Sequence, residues 1–211
     1  MNKYLLLIFM VFNQHSFAKG VSGDFDYYVL ALSWSPQHCA KNPNDRQQCY
    51  RQLGFVLHGL WPQYNQGYPQ HCSNKRMPIK LMQKFSDLYP NKKLILHEWR
   101  KHGTCSGLSP KGYLRKSEKL KNSLVIPQRY QQPQTPFRHT TAGLKSAFIK
   151  HNPEMTADNI AVYCSRNRRF LREIRICFDK TGETLQACSP KMLKKSQKQC
   201  GQQSFLVRNV R

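Results

Sequence analysis

Residues 97–102 of the chain, HEWRKH, bring two histidines, one carboxylate and one lysine into six consecutive positions. On a helix His97 would neighbour Lys101, and Glu98 would neighbour His102, because side chains four residues apart share a face. Imidazole can give or take a proton near neutral pH, and a lysine ammonium can stabilise charge on phosphoryl oxygens. The segment therefore predicts acid–base chemistry on a phosphate group.

A third histidine, His58, ends the apolar run at residues 53–58 and is followed by Gly59. Glycine lets the backbone approach a ligand closely. Trp61 offers a flat ring on which a nucleobase could stack, an interaction that contributes about 1–3 kcal/mol per base. Taken singly, each feature has a plainer interpretation, since a strand-end histidine is usually structural and a tryptophan before a proline is usually buried.

Together these residues match what RNA cleavage needs. RNA carries its own nucleophile, the 2′-hydroxyl, so cleavage requires a base for that proton, an acid for the departing 5′-oxygen and a cation near the phosphorus. Two histidines and a lysine supply all three, and each proton-transfer group typically contributes about 10²–10⁴-fold. We therefore predict chemistry that uses no metal and no other cofactor.

A zinc site is the main alternative for residues 97–102, because they begin like the His-Glu-x-x-His motif. The two histidines are five residues apart, however, which separates them by roughly 140° on a helix and suits a single metal ion poorly. An exported metal-dependent nuclease would also need an acidic ligand cluster, and the 11 carboxylates are scattered along the chain.

The chain carries 34 Lys and Arg against 11 Asp and Glu, a net charge of +23. Two runs are especially basic: Arg166, Arg168, Arg169, Arg172 and Arg175, and then Lys191, Lys194, Lys195 and Lys198. Neutralising phosphates releases counterions, so we expect RNA as the partner. A non-catalytic exported RNA or polyanion binder fits the charge equally well, but it leaves the histidine, glutamate and lysine set unexplained.

The amino-terminal residues resemble a secretory signal. Lys3 precedes an apolar block at residues 4–12, and small residues follow at Ser16 and Ala18. This order predicts a signal peptide at residues 1–18 and one mature domain at residues 19–211. The apolar block is shorter than the roughly 20 residues that span a bilayer, and no later segment is apolar enough. We expect a secreted monomer without membrane insertion, in the periplasm or outside the cell.

All eight cysteines follow the predicted cleavage site. An even number of cysteines in an exported chain indicates full pairing in an oxidising compartment. Their spacing alone leaves roughly a hundred pairings open.

The hydrophobic pattern predicts mixed elements. Strands are predicted at residues 26–33, 53–58, 160–163 and 171–178, and helices at 79–89, 112–124 and 140–150. Within 171–178, Leu171, Glu173 and Arg175 alternate with Arg172, Ile174 and Ile176. Strands at both ends of the chain and helices between them favour an α+β fold with a mainly antiparallel sheet packed with several helices.

Two segments carry a resemblance to a known family. Residues 55–62, FVLHGLWP, and 97–105, HEWRKHGTC, are similar to the two active-site segments of the ribonuclease T2 family, in the expected order. Residues 27–36, YYVLALSWSP, and 173–179, EIRICFD, are similar to its first and late strands. The resemblance spans about residues 25–205 and is closest to bacterial exported members, such as periplasmic broad-specificity ribonucleases.

The resemblance implies cleavage of single-stranded RNA through a 2′,3′-cyclic phosphate, with possible hydrolysis to 3′-phosphate ends. It implies that His102 is the general base and His58 the general acid, two roles that reverse during hydrolysis. Glu98 and Lys101 would stabilise the transition state, and His97 would hold the phosphate.

The resemblance also implies a base-binding site and four bridges. Trp61 would stack on the base, and Tyr64 or Tyr68 would close that pocket. Many eukaryotic members carry glutamine in place of Ser33, near a second base pocket, and an acidic residue or asparagine in place of Gln63, which leaves base preference open. The implied disulfides are Cys39–Cys49, Cys72–Cys105, Cys164–Cys200 and Cys177–Cys188.

Overall fold

The computed structural model describes residues 20–200 and 204–210. The predicted signal peptide at residues 1–18 lies outside them. The strands are β1 (Tyr27–Trp34), β2 (Phe55–Gln63), β3 (Phe137–His139), β4 (Ile160–Cys164), β5 (Leu171–Phe178) and β6 (Phe205–Val207). The helices are α1 (Ser35–Cys39), α2 (Arg46–Cys49), α3 (Ile79–Lys84), α4 (Lys92–Lys101), α5 (Pro110–Asn122), α6 (Thr141–His151) and α7 (Pro190–Gln199).

The main sheet is antiparallel, with strand order β2-β1-β5-β4, and β3 pairs with β6 in a small second sheet. This confirms the predicted α+β class with an antiparallel sheet. The free edge of β4 is covered by α7, where the Ser196 hydroxyl bonds both the amide and the carbonyl of Val162. Covering an edge in this way satisfies backbone groups that would otherwise be available to another strand.

The two faces of the main sheet have different neighbours, because side chains alternate along each strand. Leu30, Leu32, Ile174 and Ile176 enter the larger core, together with aromatic residues of α4, α5 and α6. The opposite face carries a smaller cluster that includes Val29, Ala31, Trp61 and Tyr163. The polar residues of the candidate site extend from this second face.

Two predicted element boundaries and one predicted strand face are wrong. The strand predicted to end at His58 continues to Gln63, because Gly59 forms part of the ladder instead of ending it. The helix predicted at residues 79–89 ends at Lys84, where the chain turns and still buries Phe85, Leu88 and Tyr89. Leu171 faces the larger core, not the face of Glu173, because a register shift in the β4–β5 pair leaves Arg172 as an extra residue.

The remaining predicted elements agree with the structure to within two residues. The elements that were not predicted are the short helices α1 and α2, the helix α7 and the strands β3 and β6. The two strands have only three residues each. Helix α7 has few apolar residues, chiefly Met192 and Leu193, among many lysines, so a search for apolar periodicity does not detect it. Within the described ranges, no helix combines the length and apolar character that crossing a bilayer would require.

All eight cysteines are paired, in the arrangement that the resemblance implied. Cys72–Cys105 ties the loop after β2 to the turn after α4, and Cys164–Cys200 ties β4 to the end of α7. The bridges therefore fix the loops on both sides of the sheet face that carries the polar cluster.

Candidate active site

His58 owes its orientation to a bulge in β2. Ala31 pairs with Gly59 and Leu32 pairs with Leu57, so His58 is the extra residue between them. A bulge redirects the extra side chain and strengthens the local twist. The imidazole consequently lies on the face of Val29 and Ala31 instead of alternating into the core, and its side chain is 34% exposed.

The Nδ1 atom of His58 is hydrogen-bonded to a buried carboxylate of β5, which lies two strands away from β2 in the sheet. It lies 2.7 Å from Oε2 of Glu173, and the Ser33 hydroxyl lies 3.2 Å from the same nitrogen and 3.3 Å from the same oxygen. Oε1 of Glu173 accepts a hydrogen bond of 2.8 Å from Nε of Arg175. Ser33 and Glu173 are register partners in β1 and β5, so the sheet itself sets this contact.

Helix α4 delivers the second active-site segment. The Asn91 side chain caps its start by accepting from the Leu94 amide at 2.9 Å, and Ile95, Glu98 and Trp99 form its buried face. The helical arrangement considered for residues 97–102 is therefore present as far as Lys101. His102 is the residue that ends the helix, with its amide still bonded to the Glu98 carbonyl.

Glu98 points from α4 into the sheet and is 1% exposed. Its Oε2 accepts a 2.6 Å hydrogen bond from Nε1 of Trp61, and its Oε1 lies 3.7 Å from Nε2 of His58 and 4.0 Å from Nε2 of His97. A Cβ atom at Gly59 would lie 2.0 Å from Oε2 of Glu98. Gly59 is therefore required because this carboxylate occupies the space of a side chain.

His102 lies beneath two aromatic rings and is 6% exposed. Its ring centroid is 5.3 Å from that of Trp61 and 5.8 Å from that of Tyr68. Among the described residues, its buried Nδ1 has no hydrogen-bond partner. Lys101 sits next to it, with Nζ 5.9 Å from the centroid of the Tyr68 ring.

The predicted site residues differ in their accessibility. Of the three site histidines, His97 is the most exposed, at 59%. Trp61 is 8% exposed and packs between His102 and the Arg175 guanidinium, whose Cζ lies 4.8 Å from the Trp61 ring. Tyr68 is 48% exposed above His102. Tyr64 instead donates a long 3.5 Å hydrogen bond to Asp24 and packs on the larger core.

The pKa values of the two buried histidines are shifted in opposite directions. Burial disfavours the charged ring of His58, but the hydrogen bond and negative charge of Glu173 outweigh it, so its pKa is raised above the usual 6.5. Burial, and then the positive charge of Lys101, lower the pKa of His102 to about 2. One ring is therefore biased towards the protonated form and the other towards the neutral form.

The pKa values of the two buried carboxylates, Glu98 and Glu173, are also shifted in opposite directions. Burial raises the pKa of Glu98 to about 7, against the opposing influence of His58 and the Trp61 hydrogen bond. Burial would also raise that of Glu173, but its bonds to His58 and Arg175 hold its pKa at about 2. Burial and the charge of Lys101 lower the pKa of His97.

Sequence reasoning missed three residues of the cluster: Ser33, Glu173 and Arg175. The available signal was a charged pair, Glu173 and Arg175, on alternate positions of an otherwise buried strand. Charged side chains are almost never buried unless they are paired or functional, so this pattern points to a specific role. Within residues 20–200 and 204–210, no three His, Cys, Asp or Glu side chains converge as metal ligands would.

Comparison with known proteins identifies the family. The sequence profile of the ribonuclease T2 family matches residues 25–188. A ribonuclease of Aeromonas hydrophila is 41% identical over 225 aligned residues, which cover 100% of both chains. The chain belongs to the ribonuclease T2 family. A probable ribonuclease of Haemophilus influenzae is 32% identical over 178 residues, which cover 76% of this chain and 60% of that protein.

Solved structures show the same fold. Ribonuclease MC1 from the seeds of bitter gourd superimposes with a TM-score of 0.65 at 20% identity, covering 86% of this chain and 99% of that one. An RNase-related protein from Calystegia sepium gives a TM-score of 0.64 at 23% identity, covering 88% and 97%. The predicted family, fold and enzyme class are thus confirmed, and this ribonuclease T2 family member is an enzyme that acts on RNA.

Proposed function

We propose that this chain is an exported endoribonuclease that cleaves single-stranded RNA by transphosphorylation, through a 2′,3′-cyclic phosphate, without a metal ion. One observation supports this most directly. His58 lies on the carboxylate of Glu173, whereas His102 lies beside the ammonium of Lys101, so the two rings are biased towards opposite protonation states. An acid and a base are thereby available at the same pH.

His102 is the general base of the first step in this proposal. Its pKa is lowered, so the ring is neutral at physiological pH and can take the proton of the 2′-hydroxyl. The freed 2′-oxygen then forms a bond to the adjacent phosphorus. The Tyr68 ring above His102 is exposed enough to contact the nucleotide that carries this hydroxyl.

His58 is the general acid. Glu173 holds Nδ1, which leaves Nε2 to donate its proton to the 5′-oxygen as the bond between phosphorus and that oxygen breaks. Glu173 is a positioning residue, because it affects the reaction only through His58. It orients the imidazole and favours its protonated form. Arg175 and Ser33 orient Glu173 in turn.

Lys101, Glu98 and His97 surround the position of the reacting phosphate. The Lys101 ammonium stabilises charge that develops on the phosphoryl oxygens. Glu98, whose pKa is raised to about 7, carries a proton for part of its population near neutral pH and can donate it in a hydrogen bond to such an oxygen. His97, which is exposed at the rim, helps hold the phosphate.

Hydrolysis of the cyclic product uses the same residues in reverse. After the first step His58 is neutral and His102 is protonated. His58 can then take a proton from water, the water oxygen bonds to phosphorus, and His102 returns a proton to the departing 2′-oxygen. The product is a 3′-phosphate.

Base binding is assigned to the aromatic residues predicted from the sequence. Tyr68 is the accessible ring, whereas Trp61 is largely buried beside His102. Tyr64 lies at the end of the same loop and would close the pocket. We infer that Trp61 contributes mainly by holding Glu98, through its 2.6 Å hydrogen bond.

Export is proposed on two grounds. Residues 1–18 have the order of a signal peptide, and the chain forms four disulfides, which persist in oxidising compartments. The periplasm or the extracellular space is the expected location, and the mature domain would begin at residue 19.

Digestion of a defined RNA in excess EDTA tests the reaction, with the product termini identified by mass. Cyclic phosphate or 3′-phosphate ends together with 5′-hydroxyl ends are expected. 5′-Phosphate ends, or inhibition by EDTA, would indicate a metal-dependent hydrolase instead. Binding without cleavage would indicate a non-catalytic polyanion binder.

A further inference from the structure

Two basic runs that are separate in the sequence line one groove. Lys191, Lys194, Lys195 and Lys198 of α7 face Arg166 and Arg168 of the loop between β4 and β5. We call this concavity, of about 670 Å³, the basic groove. All six of these side chains are exposed. The catalytic proposal makes no use of them.

The charge of the basic groove is not compensated. Arg172, Lys41 and the neutral Gln199 complete its lining, and no carboxylate contributes to it. Across the described ranges, none of these cations forms a salt bridge, and the buried Nε of Arg172 has no hydrogen-bond partner. Like charges in proximity destabilise the folded chain, and a bound polyanion would remove that cost.

A series of neighbouring cavities with shared lining residues links the basic groove to the catalytic centre. A cavity of about 310 Å³ is lined by Ser33, His58 and His97, and it shares His38 and Lys93 with a larger cavity of about 840 Å³. That larger cavity is lined further by Arg46, Lys92 and one carboxylate, Asp45, whose Oδ2 lies 3.0 Å from Nε2 of His38. It shares Lys41 with the basic groove.

A chain of side-chain contacts runs between the same two regions. Cζ of Arg172, in the basic groove, lies 6.0 Å from the ring of Tyr163. Cζ of Arg175 lies 4.2 Å from that ring, and its Nε bonds Glu173, the partner of His58. The catalytic acid and the basic groove therefore belong to one connected face of the molecule.

We propose that these three concavities form one track that binds several nucleotides of single-stranded RNA on the 3′ side of the cleaved bond. The proposal rests on the function proposed above. It goes further by assigning a long RNA strand as the substrate and the basic groove as its distant binding site.

The direction of the strand follows from the chemistry. The departing 5′-oxygen belongs to the nucleotide on the 3′ side of the cleaved bond, and His58 is the group that protonates it. Because His58 lines the first cavity of the track, the departing nucleotide enters there, and its 3′ neighbours continue towards Lys41 and the basic groove.

RNA fits this track better than an anionic membrane does. A strand of RNA repeats a phosphate at every nucleotide, so it can neutralise cations along the whole path. The path also starts at a catalytic histidine, a continuity that a substrate requires and a membrane surface does not. Flexible Lys and Arg side chains follow a backbone without reading its sequence.

Chimeric oligonucleotides test the proposal. Each contains a single ribonucleotide in a deoxyribonucleotide strand, so that only one bond can be cleaved. One strand has a long tail on the 3′ side, one has an equal tail on the 5′ side, and one has no tail. The variant replaces Lys191, Lys194, Lys195 and Lys198 with Gln, which keeps good helix formers in α7. The matched control replaces four exposed lysines outside the track, also with Gln: Lys80, Lys84, Lys111 and Lys150.

The native enzyme is expected to prefer the 3′-tailed strand. The groove variant should lower kcat/KM for that strand by roughly 25-fold at 0.1 M salt if two phosphate contacts are lost, and should reduce its salt slope by about 0.7 for each contact. Cleavage of the tailless strand should stay at the native rate in both variants. The control should affect the tailed strands little.

Three results would overturn the inference. Equal losses in the variant and the control would show that only net charge matters. A preference for the 5′ tail would contradict the assigned direction. Unchanged RNA kinetics, together with lost binding to phosphatidylglycerol vesicles, would make the groove a membrane site. Failure of the native enzyme to cleave any of the three strands would instead count against the proposed reaction.

Discussion

Nδ1 of His58 lies 2.7 Å from Oε2 of Glu173, although the two residues are 115 positions apart in the chain. Glu173 is almost fully buried, and Arg175 and Ser33 occupy its other hydrogen-bonding positions. A buried carboxylate in this position orients the imidazole and favours its protonated form. Through Glu173, the sheet therefore fixes the orientation of His58, the proposed general acid, and favours its protonated form.

Replacing Glu173 with Gln should lower kcat roughly 10- to 100-fold, less than the loss of a complete general acid. His58 acts as an acid only while protonated, so activity falls as the pH rises through its pKa. Glu173 raises that pKa, and its neutral replacement should therefore move the basic limb of the kcat/KM profile to lower pH. Glu118→Gln, at an exposed position on α5, is the control. An unmoved basic limb would refute the positioning role.

His58→Ala and His102→Ala should each abolish most turnover, because each removes a group that typically contributes about 10²–10⁴-fold. RNA binding should persist, since most of the positive charge lies elsewhere on the chain. Single-turnover rates and fluorescence anisotropy with a labelled RNA measure the two effects separately. His151→Ala, at an exposed position on α6, provides the control. Near-native turnover in either active-site variant would contradict the assignment.

Lys101→Gln should affect both the rate and the pH profile. The loss of a cation at the phosphate should reduce kcat roughly 10²- to 10³-fold. His102 acts as a base only while neutral, so activity falls as the pH drops through its pKa. Lys101 helps to lower that pKa, and its removal should move the acidic limb to higher pH, although burial keeps the limb below 6.5. Lys84→Gln serves as the comparison, and an acidic limb that stays in place would argue against His102 as the base.

Removing the Cys72–Cys105 bridge should affect activity as well as stability. The bridge closes a 33-residue separation, and chain entropy predicts a loss of about 3–4 kcal/mol in the free energy of unfolding. It also anchors the loop that carries Tyr68 above His102 and the His71 amide that bonds the Lys101 carbonyl. We expect kcat to fall about tenfold in the folded double-alanine variant.

The Cys39–Cys49 double-alanine variant is the comparison for that bridge. It closes a 10-residue separation and should cost about 2–3 kcal/mol. Because this bridge does not touch His58 or His102, turnover of a dinucleotide should stay close to native. Urea unfolding and dinucleotide kinetics measure the two properties. Equal losses of turnover in both variants would show that the Cys72–Cys105 loop has no special role.

Much of this protein could be predicted from local sequence. The helices at residues 110–122 and 141–151 follow from helical spacing of apolar residues, and the strands follow from apolar runs. Segments that carry their own hydrophobic period fold much as the pattern indicates. The two motifs were long enough to identify the family, and with it the four disulfides.

Other features depended on how distant segments meet. The bulge that turns His58 towards Glu173 exists only in the register of β1 with β2, and the Ser33–Glu173 pairing exists only in the register of β1 with β5. A short strand pattern does not specify its partner or its register, because those depend on packing across the whole sheet. The solvent accessibility of Trp61 could not be predicted from the sequence for the same reason.

The sequence by itself determined the chemistry available to this protein: three histidines, a glutamate and a lysine in two recognisable segments, a large positive charge and eight cysteines. Only the tertiary structure decided how these groups differ. Burial and partner choice bias His58 and His102 towards opposite protonation states, and the packing of α7 beside β4 brings two basic runs into one groove. The physical reason is that pKa values and charge clusters depend on distances through space, which the order of residues along the chain does not contain.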